Sequence, residues 1–381
     1  MKIQIFANDY HLVSGGDVIF AEMAKTWSKS QEVEIITNEK GKIFCDRRRL
    51  NKVKITVWRS SVADQFGIVL AEAYKTILSA IGSLWLKNKV DVIFSSSLFW
   101  PDIFSGVITK IKYPKAKLVV GLYLLFPSPF DKVRYDGGFL KSIFLSLSQS
   151  VSLILVDRFA DIVLTASRHR SELLHNNRQL NSDTVVAIRG GVDIKNIVRI
   201  KRQKKKFDCV YFGRFHSQKG IFELLEVWSE ILRIRPGTKF LLAGGGPLEQ
   251  EIIEKAKNLG IIDAITFSGL ITGSHKYRLL KSAKVFTSAS RLDTGNIALD
   301  EVLACSVPGV VYDIPHLHYD SGVIKIPVGS RDRMVGEVLR LLANPIARNK
   351  LGRKGKDFIR MFDWSRVSRK VLSLFQNQIK I

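Results

Sequence analysis

The chain has 381 residues, 46% of them apolar and 25% charged, a composition that fills real cores and excludes a mainly disordered state. Lysine and arginine number 59 against 35 acidic residues, a formal net charge of +24. That surplus excludes an ordinary neutral surface and points to polyanionic company: nucleic acid, an anionic membrane face or phosphorylated substrates.

The length suits two domains, or three. The opening MKIQIFANDY reads as a charged start and a buried strand (2–7), without the long apolar core of a signal peptide. A loop with Ser14, Gly15 and Gly16 follows, and Asp17 begins a helix. VEIIT (33–37), KITVW (54–58), DVIFSS (91–96), KLVVGLYLL (117–125), ADIVLTAS (160–167) and TVVAI (184–188) continue the strand series, with helical segments between most of them. Near-continuous Val/Ile/Leu strands alternating with helices predict a parallel sheet covered on both faces. Segment 137–161 has Phe139, Leu140, Ile143, Phe144, Leu147, Val151 and Ile154 on one helical stripe, with Ser142, Ser146, Gln149 and Ser150 off it. It reads either as a core helix of the first domain or as an interfacial helix on lipid. No run is expected to reach the roughly 18–20 apolar residues that span a bilayer.

The basic stretch NIVRIKRQKKK (196–206) reads as an exposed linker. A second series follows: DCVYFG (208–213), KFLLAGG (239–245), AITFSGL (264–270), KVFTSAS (284–290), PGVVYD (308–313) and VIKIPV (323–328), with helices near 333–343 and 364–378. The predicted fold is α/β: two doubly wound, Rossmann-like domains facing across a cleft. The first spans 1–195 and is completed by a C-terminal helix at about 362–381; the second spans 207–361. Ligands of such sheets bind beyond the carboxyl ends of the strands, at helix N-termini.

Three segments of the second half carry charge or glycine where a phosphate would sit. In FGRFHSQKG (212–220), Gly213 lets the chain leave a strand tightly, and Arg214 and Lys219 bracket the turn into a helix. Two cations beside a helix N-terminus suit a diphosphate, because the dipole and free amides add to the formal charges. In LLAGGGPLEQEI (241–252), Gly244, Gly245 and Gly246 leave a strand and Pro247 is expected in a helix's first turn; such glycines let backbone approach a ligand, or simply make a tight turn. In 288–313, Asp293, Gly295, Asn296 and Ile297 precede Glu301, eight residues past Asp293. That spacing allows two acceptors to flank the helix amides, as a sugar nucleotide requires.

In this order the segments resemble the retaining glycosyltransferases of GT-B family 4. The resemblance rests on GRFHSQKG (213–220), on GGGP (244–247), and on Asp293 and Glu301 followed by VLACSVPGVV (302–311). SGG (14–16), RGGVD (189–193) and DWSRV (363–367) extend it over essentially the whole chain. Three features depart from the family. Asp293 stands where it usually has Glu, shorter by roughly 1.5 Å; TGN (294–296) replaces glycine-aromatic-glycine; and Tyr123 sits about where a histidine is often found.

The resemblance implies transfer of a hexosyl group from a nucleoside-diphosphate sugar, UDP- or GDP-linked, with retained configuration and without metal or other cofactor. It casts Arg214, Lys219, Asp293 and Glu301 as catalytic, and Gly15, Gly16, Gly213, Gly245, Gly246, Pro247, Gly295, Asn296 and Ile297 as substrate-binding. The acceptor is expected to be a glycan or a lipid-linked molecule; the +24 charge, with RRRLNKVK (47–54) and the linker to attract anionic headgroups, suits a cytoplasmic protein peripheral on the cytoplasmic face of a membrane. His316 and His318 lack a third ligand and do not read as a metal site. Cys45, Cys209 and Cys305 form no CxxC, which fits a reducing compartment. Nucleic acid is disfavoured because the basic clusters lack interleaved aromatics. The alternative is a GT-B protein that binds a sugar nucleotide with little or no transfer.

Overall fold

The computed structural model describes residues 1–8, 15–87, 89–123, 125, 139–166, 185–293, 295–315 and 317–379. Of the residues discussed above, Asp9, Tyr10, Ser14, Leu124, Gly137, Gly138, Ser167, Thr184, Thr294, His316, Lys380 and Ile381 lie outside this set. The chain forms two compact units, Met1–Gly190 with Trp364–Ile381, and Gly191–Asp363.

The first unit has strands β1 (Lys2–Ala7), β2 (Glu32–Thr37), β3 (Lys54–Val57), β4 (Val92–Ser95), β5 (Lys117–Leu122), β6 (Ile162–Thr165) and β7 (Val185–Ala187). They form one sheet in the order β3-β2-β1-β4-β5-β6-β7, every pair parallel. The second unit has β8 (Phe207–Phe212), β9 (Phe240–Ala243), β10 (Ile265–Gly269), β11 (Ala283–Ser288), β12 (Gly309–Tyr312) and β13 (Val323–Ile326). Its sheet runs β10-β9-β8-β11-β12-β13, again parallel throughout. The doubly wound α/β expectation holds for the reason given: Ile5, Ile93, Val120, Val210, Leu241 and Val285 are fully buried in strands covered on both faces. In each sheet the strand order reverses once, between β1 and β4 and between β8 and β11. Such switch points open a crevice between loops that diverge to opposite faces.

The helix Trp364–Ile379 belongs to the first unit. The indole N–H of Trp27 donates to the Ser368 carbonyl at 2.8 Å, and Phe375 meets the same ring edge-on at 5.3 Å.

Two readings need correction. Segment 196–206 is not simply an exposed linker. Ile194–Arg199 is helical, Ile197 is fully buried, and Ile194 and Ile200 pack on the second unit's core. Isoleucines three apart make one apolar edge, and lysine stems reach past it to carbonyl oxygens: Lys281 Nζ to Ile197 at 2.7 Å and Lys205 Nζ to Lys281 at 3.0 Å. Burial pulls the Lys205 ammonium down to about 8, with Arg348 and Arg202 adding to the effect.

The second correction concerns 137–161. Phe139–Phe159 is one 21-residue helix, long and apolar enough by length and composition to cross a membrane; its scattered serines hide this from a search for unbroken apolar runs. Only a third of its most apolar window is buried. Ser142, Ser148 and Ser152 are buried together with Leu145, Leu153 and Val156, whereas Leu140, Leu147 and Ile154 of the predicted stripe are exposed. The stripe is therefore not the core face.

Candidate functional site

At the switch point of the second sheet, the loops after β8 and β11 are zipped together. The Arg291 amide donates to the Gln218 carbonyl at 3.1 Å, and the Arg291 guanidinium reaches Glu223 at 2.9 Å. Gly220 is the pivot. Its φ of +61° is left-handed, and a Cβ there would stand 2.1 Å from the Ala289 carbonyl oxygen. Only glycine can begin the helix Ile221–Ile234 at this separation.

This closeness brings Lys219 to Asp293. Nζ lies 2.6 Å from Oδ2, with both side chains largely buried. The other carboxylate oxygen of Asp293 accepts the Asn296 amide at 3.1 Å. Asn296 in turn caps the helix Ile297–Ala304 by accepting the Leu299 amide at 3.0 Å. Asp293 is thus fixed against the positive end of a helix and beside a cation.

Glu301, about one turn along that helix, is also buried. Lys276 Nζ pairs with its Oε1 at 2.6 Å, and the Tyr277 hydroxyl donates to the same oxygen at 3.1 Å. Burial, and then the Glu301 charge, push the Tyr277 phenol far up, so it remains a donor. Lys276 also lies over the Tyr277 ring, 4.7 Å from its centroid. Sequence reasoning missed Lys276 and Tyr277. Their segment, SHKYRLLK (274–281), has no glycine or charge spacing to mark it, and only packing of two helices reveals the pair.

Arg214 is exposed, and its side chain has no hydrogen-bond or ion-pair partner among the described residues. Its carbonyl accepts the Tyr211 hydroxyl at 2.9 Å. That phenol is pushed far up by burial and by the Asp293 carboxylate, against the opposing pull of Arg214. Arg214, Lys219 and Asp293 therefore share one neighbourhood.

The glycine turn has a packing reason for two of its three glycines. A Cβ on Gly244 would fall 1.8 Å from the Gly213 carbonyl, and one on Gly246 would fall 2.4 Å from the Phe215 carbonyl. The Phe215 amide donates to the Gly245 carbonyl at 2.9 Å. Gly244 and Gly246 thus let two loops touch, which fixes the backbone around Arg214; Gly245 meets only ordinary contacts. Pro247 lies just before the helix, whose N-cap is Leu248, rather than inside its first turn.

Gly15 and Gly16 open the helix Gly15–Trp27 of the first unit. Tyr123, at the end of β5, is buried, and its hydroxyl has no hydrogen-bond partner among the described residues. The three cysteines are buried; burial pushes the Cys45 and Cys305 thiols up to about 12, which removes them as nucleophiles. The site gathers paired carboxylates and ammonium groups at strand ends, able to take an anion and hydroxyl groups together.

The family model described as "Glycosyl transferases group 1" matches residues 193–358. The chain is 31% identical over 106 residues to alpha-monoglucosyldiacylglycerol synthase of Streptococcus pneumoniae, covering 28% of this chain and 24% of that protein. It is 22% identical to N-acetyl-alpha-D-glucosaminyl L-malate synthase of Bacillus anthracis, over 94% of this chain and 92% of that one. With most of the curated relatives it matches, the chain covers about half of their length or less. Among solved structures, Anabaena Alr3699/HepE in complex with UDP and glucose superposes with a TM-score of 0.76 at 13% identity, covering 99% of this chain and 100% of that one. That likeness shows the fold, which is of the GT-B glycosyltransferase type.

Proposed function

We infer, from a chain whose residues 193–358 match the family model of glycosyl transferases group 1, that the protein transfers a hexosyl group from a nucleoside-diphosphate sugar to a glycan or lipid-linked acceptor. The donor is UDP- or GDP-linked, the anomeric configuration is retained, and no metal takes part. The observation that carries this reading is the Lys219–Asp293 pair, held between zipped loops at a switch point one helix cap away from the Glu301–Lys276 pair.

A diphosphate entering there exchanges places with Asp293 on Lys219 and draws in Arg214. Cleavage of the bond between the anomeric carbon and the phosphate oxygen adds negative charge to the leaving diphosphate. Lys219, Arg214 and the dipole of the helix Ile297–Ala304 stabilise that charge. The acceptor hydroxyl forms the new bond on the same face and loses its proton to a phosphate oxygen. Asp293, released from Lys219, holds sugar hydroxyls and orients the ring. Glu301 accepts from the ribose hydroxyls, with Lys276 and Tyr277 fixing its carboxylate. The work takes place in the cytoplasm, against a membrane face.

Thermal shift with UDP, GDP, ADP and dTDP, each bare and sugar-linked, identifies the donor, since a ligand stabilises according to its affinity and concentration. Transfer is then followed with that donor. Lys219→Ala and Glu301→Ala should each lower turnover by about 100- to 1,000-fold, the usual cost of losing one contact to developing charge, and chelator should leave the wild-type rate unchanged. Wild-type rates in both variants would overturn the assignment. Donor stabilisation without turnover on any acceptor would favour the binding-only alternative, for which the shortened acid at Asp293 is the reason.

A further inference from the structure

The helix Ile68–Trp85 is built inside out. Its buried side carries Glu72, Lys75, Ser79 and Ser83. Each is committed by polar contacts: Lys75 Nζ to Asp64 at 2.6 Å, the Trp100 amide to Glu72 at 3.0 Å, and the Ser79 hydroxyl to the Pro101 carbonyl at 3.1 Å. Ser83 closes on the Ser79 carbonyl at 2.7 Å. Its outer side carries Leu70, Tyr74, Ile77, Ile81, Leu84 and Trp85, three or four residues apart and all exposed, Trp85 to 74%. No charged residue lies on that outer side.

Phe139–Phe159 repeats the arrangement beside the same tryptophan. Its Ser148 carbonyl accepts the Trp100 indole N–H at 3.1 Å, and its Ser152 hydroxyl donates to the Leu98 carbonyl at 2.7 Å, while Leu140, Leu147 and Ile154 point to solvent. Turning either helix to hide its apolar side would strand these polar contacts, and for Ile68–Trp85 a buried charge. Contiguous apolar surface of this kind marks an interaction site.

We propose that the outer faces of these two helices form a docking surface for an anionic lipid bilayer. Charge selects this occupant. Lys87, Lys89, Lys112 and Lys115 are exposed beyond the end of Ile68–Trp85, and Lys112 Nζ binds the Leu84 and Leu86 carbonyls at 2.5 and 2.7 Å. This sets a cluster of cations next to an exposed tryptophan, at the end of an apolar helix face. That is the pattern of a helix lying at a headgroup boundary, with its apolar side in the acyl region and its lysines among the phosphates. A second copy is disfavoured, because each carries the same +24 charge and the two helices offer a single exposed acid, Asp157, to answer it. In naming a membrane partner the surface rests on the reading above, but its test reads vesicle binding without turnover, so the two can fail separately.

The test is flotation of the full chain with vesicles of equal parts phosphatidylglycerol and phosphatidylcholine, and with phosphatidylcholine alone. The wild type should float with the anionic vesicles, less as salt rises, and weakly with the neutral ones. The double variant Ile77→Glu/Ile81→Glu should lose affinity by about tenfold or more while keeping its circular dichroism and melting temperature, since both positions are exposed. Leu147→Glu/Ile154→Glu on the other helix provides an independent second variant. Three outcomes would overturn the proposal: no flotation at low salt, wild-type flotation in both double variants, or a dimer in light scattering that Ile77→Glu/Ile81→Glu converts to monomer.

Discussion

The helix Ile221–Ile234 in the second unit and the helix Ile68–Trp85 in the first share a repeat of apolar residues every three or four positions, yet they face opposite ways. In the former, Ile221, Leu224, Leu225, Trp228 and Ile231 are buried, and the polar side is laced outward, Glu226 to Lys255 at 2.8 Å. In the latter, Glu72 and Lys75 are inside and Ile77 and Ile81 outside. Periodicity says that a helix has two sides; where polar partners wait decides which side goes in. The start of the helix Trp100–Lys112 offers Ile68–Trp85 a backbone amide and a carbonyl, and Asp64 offers a carboxylate.

The sharpest break of this comparison is truncation of the tryptophan at the centre of the apolar-in helix. Trp228 is fully buried, stacks on Phe240 with centroids 4.6 Å apart and donates to Thr287 Oγ1 at 3.0 Å. Trp228→Ala should cost about 3–5 kcal/mol in urea unfolding, by cavity formation, plus the loss at Thr287. A midpoint equal to that of the wild type would mean that the apolar-in assignment of this helix is wrong.

The next test addresses the polar-in assignment. Lys75 is fully buried against Asp64, which also pairs with Lys40. Lys75→Met should destabilise by about 1–3 kcal/mol, the cost of leaving part of a carboxylate unanswered, and less than a solitary buried pair would because Lys40 remains. Lys75→Met combined with Asp64→Leu should recover much of the loss, because replacing both members of a buried pair by apolar groups is often neutral. An exposed lysine would give neither the loss nor the rescue.

These contrasts mark what the residues disclose before folding. Parallel strands announce themselves as continuous Val/Ile/Leu runs, because both their faces are covered. The loops at 213–220 and 293–301 stand out because glycine and paired charge serve little else at a strand end. Lys276 stayed hidden, since a lysine on a polar helix looks solvated until a neighbouring helix delivers Glu301. The stretch 196–206 misled because its lysines outnumber the isoleucines that anchor it, and a lysine such as Lys205 can bury once its ammonium meets carbonyl oxygens. In 137–161 the stripe itself was legible, but its direction was not. Serine is neutral enough to lie on either side; the Ser152 hydroxyl finds the Leu98 carbonyl on the inner side, and the Trp100 indole holds the backbone there at the Ser148 carbonyl.

The smallest expected effect is the most discriminating. Ile81→Ala removes three carbons from a helix stripe, as an Ile231→Ala change would in the second unit. Ile231 is fully buried, whereas Ile81 is 50% exposed. Ile231→Ala should therefore cost about 2–5 kcal/mol. Ile81→Ala should stay within about 0.5 kcal/mol in either direction, with a slight gain open to it because alanine is the better helix former. Chemical denaturation in detergent-free buffer checks both. If Ile81→Ala proves as costly as Ile231→Ala, the outer face of Ile68–Trp85 is packed against protein in the folded chain, and the inside-out description of that helix fails along with the docking surface built on it.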